Sequence, residues 1–276
     1  MREMMENAKL LIFDLDGTLY EDTDHFDYYC RLMQQRVLES EREAFWATYE
    51  SMKSGEHPVG IGKVYDIKND TAVTVEPFSL QVTKVESFTG EEWPAEKVRE
   101  EYSGELVYDF ERFVAIGDGW WLPYATAIHH GLTGQDSWDC YNATKAYMVT
   151  NEFTLTKTPG LKNALERLRQ DKKIVLMTNS DHDDVGRLLN ELGLTGMFHA
   201  VHSSSEKPLR TKEKLQEILQ EFDVKPEEAV SIGDNFINEI APALLLGMRA
   251  VYIQPNESPH SHENMVVVKT LAQAFE

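Results

Sequence analysis

The spacing of apolar residues divides this chain into stretches of different texture. Residues 8–13, with Leu10-Leu11-Ile12-Phe13 unbroken, read as a short strand buried on both faces. Over 24–53, Phe26, Tyr29, Met33, Val37, Phe45, Tyr49 and Met52 recur at helical steps and drift around the axis. That pattern predicts one long helix, ended by Gly55, Pro58, Gly60 and Gly62. Val64-Tyr65-Asp66-Ile67 and Ala72-Val73-Thr74-Val75 flank Lys68-Asn69-Asp70-Thr71, which predicts a β-hairpin. An alternating run over 78–85 extends it toward a small meander. Helical patterning, rich in aromatic residues, returns over 93–152 and is broken at Gly117-Asp118-Gly119 and Pro123.

After Pro159-Gly160 the texture becomes a regular alternation. A helical face (Leu161, Ala164, Leu165, Leu168) precedes the apolar run Ile174-Val175-Leu176-Met177. A helix over 184–192 stops at Gly193, and Ala200-Val201-His202 is a further strand candidate. An amphipathic helix over 211–222 leads to Ala229-Val230-Ser231-Ile232, which ends at Gly233-Asp234. A helix over 240–246 closes at Gly247 before Ala250-Val251-Tyr252-Ile253. Strands and helices alternating at this spacing predict an α/β fold with a parallel sheet covered on both faces. The first strand is about 130 residues from its sheet partners, too far for a loop, so the intervening chain reads as an inserted domain. The expected division is a core of 1–20 and 153–276 with an insert at 21–152. Because the insert begins just after residues 14–18, it is expected to act as a lid over them.

Composition narrows the function classes. The chain has 276 residues, 42% hydrophobic and 27% charged, ordinary values for a globular protein. Its 47 acidic and 27 basic residues leave a net charge of -20, which repels phosphate backbones and anionic membranes. Nucleic-acid and membrane partners are therefore not expected. Cys30 and Cys140 form no CxxC pair and no metal-ligand spacing, and the opening apolar run is too short for a signal segment or a span. The expectation is a cytoplasmic protein, monomeric or homodimeric.

Candidate chemistry sits where predicted strands end. Leu10 to Phe13 deliver Asp14 and Asp16, one residue apart, ahead of Gly17-Thr18. Thr178-Asn179-Ser180 follows the strand at 174–177, Lys207-Pro208 lies in a loop, and Gly233-Asp234 with Glu239 follows the strand at 229–232. A parallel sheet gathers the C-terminal ends of its strands on one edge, so these groups can converge. The set suits phosphoryl transfer. Asp14 can be the nucleophile, and Asp16 can protonate the leaving oxygen and then activate water. Asp14, the main-chain carbonyl of Asp16 and Asp234 can hold Mg²⁺ through oxygen. Thr178 can donate its hydroxyl to the phosphoryl group while Lys207 supplies fixed positive charge. Asn179 is a phosphate contact or a loop hydrogen-bonder, Thr178 doubles as a helix-cap candidate, and Glu239 has a rival reading as a helix N-terminal charge.

Asp14-Leu15-Asp16-Gly17-Thr18, Thr178-Asn179, Lys207-Pro208 and Gly233-Asp234 with Glu239 resemble the four ordered motifs of the haloacid dehalogenase (HAD) superfamily. The resemblance covers residues 8–20 and 155–255. It implies a Rossmann-like core, Mg²⁺ dependence and an aspartyl-phosphate intermediate. An insertion after the first motif resembles a C1-type cap, here expected to be mainly helical with a β-hairpin. Dehalogenases and phosphonate-cleaving members lack an acid at the position of Asp16, so its presence implies phosphate-ester chemistry. Glu239 stands where the family more often has aspartate and is placed in the second metal shell. The expected activity is hydrolysis of a small soluble phosphate monoester, a small phosphorylated metabolite. The alternatives are a phosphomutase of the β-phosphoglucomutase type and a non-catalytic binding or regulatory protein. Trp120, Trp121, His129, His130, Trp138 and Tyr141 of the insert are expected to be packing residues rather than a substrate pocket.

Overall fold

The computed structural model describes residues 2–275. Its strands in chain order are β1 (Leu10–Phe13), β2 (Lys63–Asp66), β3 (Thr71–Val75), β4 (Val82–Ser87), β5 (Phe113–Ile116), β6 (Lys173–Met177), β7 (Ala200–His202), β8 (Ala229–Gly233), β9 (Arg249–Ile253) and β10 (Met265–Val268). The α-helices are α1 (Arg2–Glu6), α2 (Asp24–Gln34), α3 (Arg42–Ser54), α4 (Ala95–Glu101), α5 (Trp121–His129), α6 (Gly134–Tyr147), α7 (Leu161–Asp171), α8 (His182–Leu192), α9 (Thr211–Glu221) and α10 (Ala241–Leu245). Contacts group the chain into two compact units. One runs to Asp22 and resumes at Asn151; the other is Thr23–Thr150.

The first unit is built on a parallel sheet of order β10-β9-β8-β1-β6-β7. Every residue of β1 is buried, because it pairs on one side with β6 (Leu11 opposite Ile174) and on the other with β8 (Leu11 opposite Val230). Leu10 and Ile12 share a core with Val175 and Met177 of β6, Leu215, Ile218 and Leu219 of α9, and Ala243 of α10. From β1 the chain builds outward through β6 and β7, then returns to the other side of β1 to build β8, β9 and β10. The order of strands reverses between β1 and β8, and the crevice outside their C-terminal ends is where such sheets hold ligands. In α8, Val185, Leu188, Leu189 and Leu192 are buried at helical spacing; Asp181 caps its start and Gly193, at φ 71°, ends it.

Strand β10 was not anticipated. Among the described residues Met265-Val266-Val267-Val268 pairs with β9 alone, at the sheet edge, and of the four just Val268 is buried. A π-helical turn at Phe236–Ile240 also precedes α10, so the helix expected over 240–246 begins in a wider coil.

The second unit holds an antiparallel sheet of order β4-β3-β2-β5. The anticipated hairpin is its inner pair, β2 and β3, with Val64 opposite Val73. Strand β5 corrects the helical reading of 93–152: Phe113-Val114-Ala115-Ile116 pairs with β2, a partner about 50 residues earlier that local periodicity cannot report. The single helix expected over 24–53 is two helices, α2 and α3. Leu38 is extended at ψ 141°, and a 3₁₀ turn at Glu39–Glu41 reverses direction. The break lets Tyr29, Cys30 and Met33 of α2 and Phe45, Tyr49 and Met52 of α3 enter one core with Tyr65, Val114 and Leu122. One straight helix with that drift would turn part of the set away from it. Cys30 and Cys140 are buried and free. Trp120, Trp121 and Tyr141 pack against the same core, while Trp138 is exposed and stacks on Tyr141. Among the described residues no helix is long and apolar enough to cross a membrane.

Candidate active site

The Asp14 N–H donates to the Ile232 carbonyl (2.9 Å), so Asp14 is still held by the sheet when its side chain leaves the end of β1. The next residues form a tight turn in which the N–H groups of Thr18 and Leu19 return to the Leu15 carbonyl. Gly17 is required there for two reasons. Its φ is 76°, and a Cβ at this position would lie 2.1 Å from Asp234 Oδ2. The Asp234 carboxylate, delivered by the end of β8, therefore rests directly on the turn that carries Asp14 and Asp16. Gly233 is needed for the same reason on the other side, where a Cβ would meet the Glu239 side chain at 2.8 Å.

Lys207 is the buried cation of this edge, 2% exposed. Its Nζ donates to Asp14 Oδ1 at 2.6 Å, to Glu239 Oε1 at 2.5 Å and to the Met177 carbonyl at 3.2 Å. The loop carrying it is bracketed by Asn179, whose Oδ1 accepts from the Lys207 N–H (2.7 Å) while its Nδ2 donates to the Lys207 carbonyl (2.8 Å). Of the two readings of Asn179, these hydrogen bonds belong to the loop-holding one. Glu239 is fixed through its second oxygen by the Asn235 N–H (3.1 Å). Its carboxylate reaches Lys207 directly.

Thr178 is buried after β6; its N–H donates to the His202 carbonyl, and its Oγ1 accepts from the Ser180 N–H at 3.1 Å. It is not a helix cap, since Asp181 caps α8. Asp16 is half-buried, and both of its oxygens are engaged: Tyr20 OH donates to Oδ1 and Ser180 Oγ to Oδ2 at 2.9 Å. Sequence reasoning missed both donors. Ser180 stood inside a quoted motif without a role, and Tyr20 reads as one more core aromatic.

The electrostatics follow from burial. The Lys207 ammonium should be weakened by its burial, but the charges of Asp14 and Glu239 outweigh that and push its pKa up. Burial pushes the Asp14 carboxyl up from its ordinary value, and the neighbouring Asp16 adds to this against the pull of Lys207. Counted among themselves as ionised groups, the buried trio is one ammonium against two carboxylates, a local excess of negative charge, with Asp234 resting on the adjoining turn.

That excess and the donor types bear on whether Mg²⁺ fits. Asp14, the Asp16 carbonyl and Asp234 offer only oxygen, the donor Mg²⁺ takes. The missing Cβ of Gly17 is what lets the Asp234 carboxylate reach the turn. A divalent cation would also neutralise the surplus charge. Among the described residues no group of three or more His, Cys, Asp or Glu side chains forms a metal cage. Two carboxylates and a carbonyl are the available set, and they suit an ion that keeps several waters.

A parallel sheet whose strand order reverses beside two aspartates, with a buried lysine on the first of them, defines an open α/β protein with its polar site at the switch point. A profile described as haloacid dehalogenase-like hydrolase matches residues 8–245, and the chain belongs to that family. A curated relative, glyceraldehyde 3-phosphate phosphatase of Pyrococcus furiosus, is 29% identical over 112 residues. The match spans 40% of this chain and 47% of that relative, about half its length. Among solved structures, the Bacillus subtilis HAD-hydrolase YfnB, described as bound to magnesium, superposes with a TM-score of 0.54 at 12% identity, over 97% of both chains. A HAD-like hydrolase from Xanthomonas campestris gives 0.50 at 16% identity, over 97% of this chain and 90% of its own. At these identities the two structures speak for the fold.

Proposed function

We propose that the protein is an Mg²⁺-dependent phosphatase that hydrolyses a small soluble phosphate monoester through a phosphorylated Asp14. The observation that carries the reading is the 2.6 Å contact between the buried Lys207 ammonium and Asp14, with a second acid two residues on. A fixed cation beside a carboxylate nucleophile can neutralise phosphoryl oxygens, and an adjacent acid can serve a leaving alkoxide. The name of the Pyrococcus furiosus relative supports a phosphate ester as substrate over a haloacid.

In this reading Asp14 attacks phosphorus, and Lys207 offsets charge on the nucleophile and the transferring group. Thr178 donates its hydroxyl to the phosphoryl oxygens, while Asn179 and Glu239 hold Lys207 in place. Asp16 protonates the departing oxygen and then takes a proton from the attacking water. Bound at Asp14, the Asp16 carbonyl and Asp234, Mg²⁺ would supply charge neutralisation and orientation of the phosphoryl group.

The test is phosphate release from a panel of phosphorylated metabolites with Mg²⁺, repeated after chelation. Net phosphate that disappears on chelation and returns with Mg²⁺ is the expected result. Conversion of a sugar phosphate to its isomer with little net phosphate would replace the phosphatase reading with the mutase one. No turnover across the panel would contradict both.

A further inference from the structure

The two hydroxyls on Asp16 are placed rather than incidental. Tyr20 is 0% exposed and Ser180 is 4% exposed, so neither is a surface group folded over by chance. Each is tied down by its own backbone. Tyr20 forms single β-bridges with Asp16 and with Lys157, while the Ser180 N–H bonds Thr178 Oγ1 and its carbonyl accepts from Ser204. One donor reaches each oxygen of the same carboxyl group, from stretches of chain far apart in sequence.

We infer that Tyr20 and Ser180 are positioning residues that clamp the Asp16 carboxyl group in the orientation its proton transfers need. This rests on the phosphatase reading above. A carboxylate offers about four lone-pair sites, two on each oxygen. With one of these donors on each oxygen, turning the group about its Cβ–Cγ bond would break both hydrogen bonds. The plane of the acid is therefore set, along with the directions of its lone pairs.

In the first half-reaction an Asp14 oxygen bonds to phosphorus as the ester P–O bond breaks, its electron pair staying on the leaving oxygen. That oxygen takes the proton of Asp16, which becomes a carboxylate. In the second half, Asp16 takes a proton from water as the water oxygen bonds to phosphorus. The bond from phosphorus to Asp14 breaks, and its pair returns to the Asp14 carboxylate. Two O–H donors complement the charged form between these steps, and the fixed plane of the group sets the direction in which the proton is given and taken.

The test compares kcat/KM for phenyl phosphate and p-nitrophenyl phosphate, two esters of similar shape. Phenolate is a basic leaving group that needs the proton; nitrophenolate leaves with little help. Tyr20→Phe and Ser180→Ala each remove one oxygen. Each should lower kcat/KM about tenfold on phenyl phosphate and less than about threefold on p-nitrophenyl phosphate, the signature of a misaligned acid. Ser180→Thr, which keeps a hydroxyl, should recover most of the loss on phenyl phosphate. Equal losses on both esters, or no loss on either, overturn the clamp. Should Tyr20→Phe fail to fold, the Ser180→Ala and Ser180→Thr pair decides. Wild-type protein that releases phosphate from neither these esters nor the metabolite panel overturns the phosphatase reading and the clamp with it; wild-type turnover with uniform losses overturns the clamp alone.

Discussion

Each unit of this protein buries a carboxylate against a cation, and the two arrangements differ in what they leave over. In the inserted unit Asp66 is fully buried and accepts from the Lys68 and Asn69 N–H groups, Asn69 Nδ2, Tyr102 OH (2.7 Å) and Arg112 Nη2 (2.9 Å). Arg112 and Lys68 also reach Glu101, at 2.6 and 3.0 Å. Two cations face two anions, and every direction around Asp66 has a donor. Around Lys207 one cation faces Asp14 and Glu239, with Asp16 and Asp234 at the same sheet edge. A saturated, neutral network has no capacity for anything further and serves to hold two strands and a helix together. A buried network with surplus negative charge, at the switch point of a parallel sheet, is where the proposed phosphatase chemistry would place a cation and a reacting group.

The sharpest way to break this contrast is Asp14→Asn. Phosphate release from an aryl ester should fall by about three orders of magnitude or more, since the nucleophile is gone. Undiminished turnover in the variant would remove the basis for treating the Lys207 network as chemistry.

Lys207→Met is next. It leaves Asp14 and Glu239 buried without a cation, so denaturant unfolding should show a loss of about 3–5 kcal/mol alongside loss of turnover. Mg²⁺ should return part of the stability by occupying the same negative site. A variant as stable as the wild type would mean that the trio is better hydrated than its burial implies.

Arg112→Met is the matched change in the other unit. It leaves Asp66 with hydrogen bonds but no cation, and stability should drop by about 2–4 kcal/mol. Turnover of an aryl phosphate by the folded variant should change less than about threefold, because Arg112 belongs to the saturated network. A large fall in kcat with unchanged stability would erase the distinction between the two networks.

How much of this contrast was legible beforehand depends on the range of the interactions. Strand β1 and the polar residues after it stand out because a buried central strand is a continuous apolar run. Lys207 was legible as part of an ordered motif; its pairing with Glu239 was not, since only the folded chain shows that carboxylate turned inward. The break between α2 and α3 was hidden because the apolar positions keep helical spacing on both sides of it. Strand β5 is a four-residue run whose strand character comes from a distant partner, Lys63–Asp66, whereas β10, with three consecutive valines, carries a local strand signal and pairs with the preceding strand, Arg249–Ile253. Ser180 sits 164 residues from Asp16, and nothing local marks it as that acid's donor.

The smallest effect concerns pH. Hydrogen bonds from Lys68, then Asn69 and Arg112, hold the Glu101 carboxyl down, from 4.5 to about 2. A carboxyl depressed in the folded state contributes stability above its unfolded value, and that contribution is lost as pH falls from about 4.5 toward 2. The wild-type denaturation midpoint should fall more steeply over that window than that of Glu101→Gln. Parallel profiles would show that the saturated network does not bind Glu101 as its charged form.

Acid-quenched mass spectrometry of the protein during turnover of p-nitrophenyl phosphate with Mg²⁺ tests the centre of the account most directly. The expected product is a peptide carrying one phosphoryl group on Asp14, absent in Asp14→Asn. Turnover with Asp14 unmodified at every quench time, or a phosphoryl group on another residue, would contradict the account.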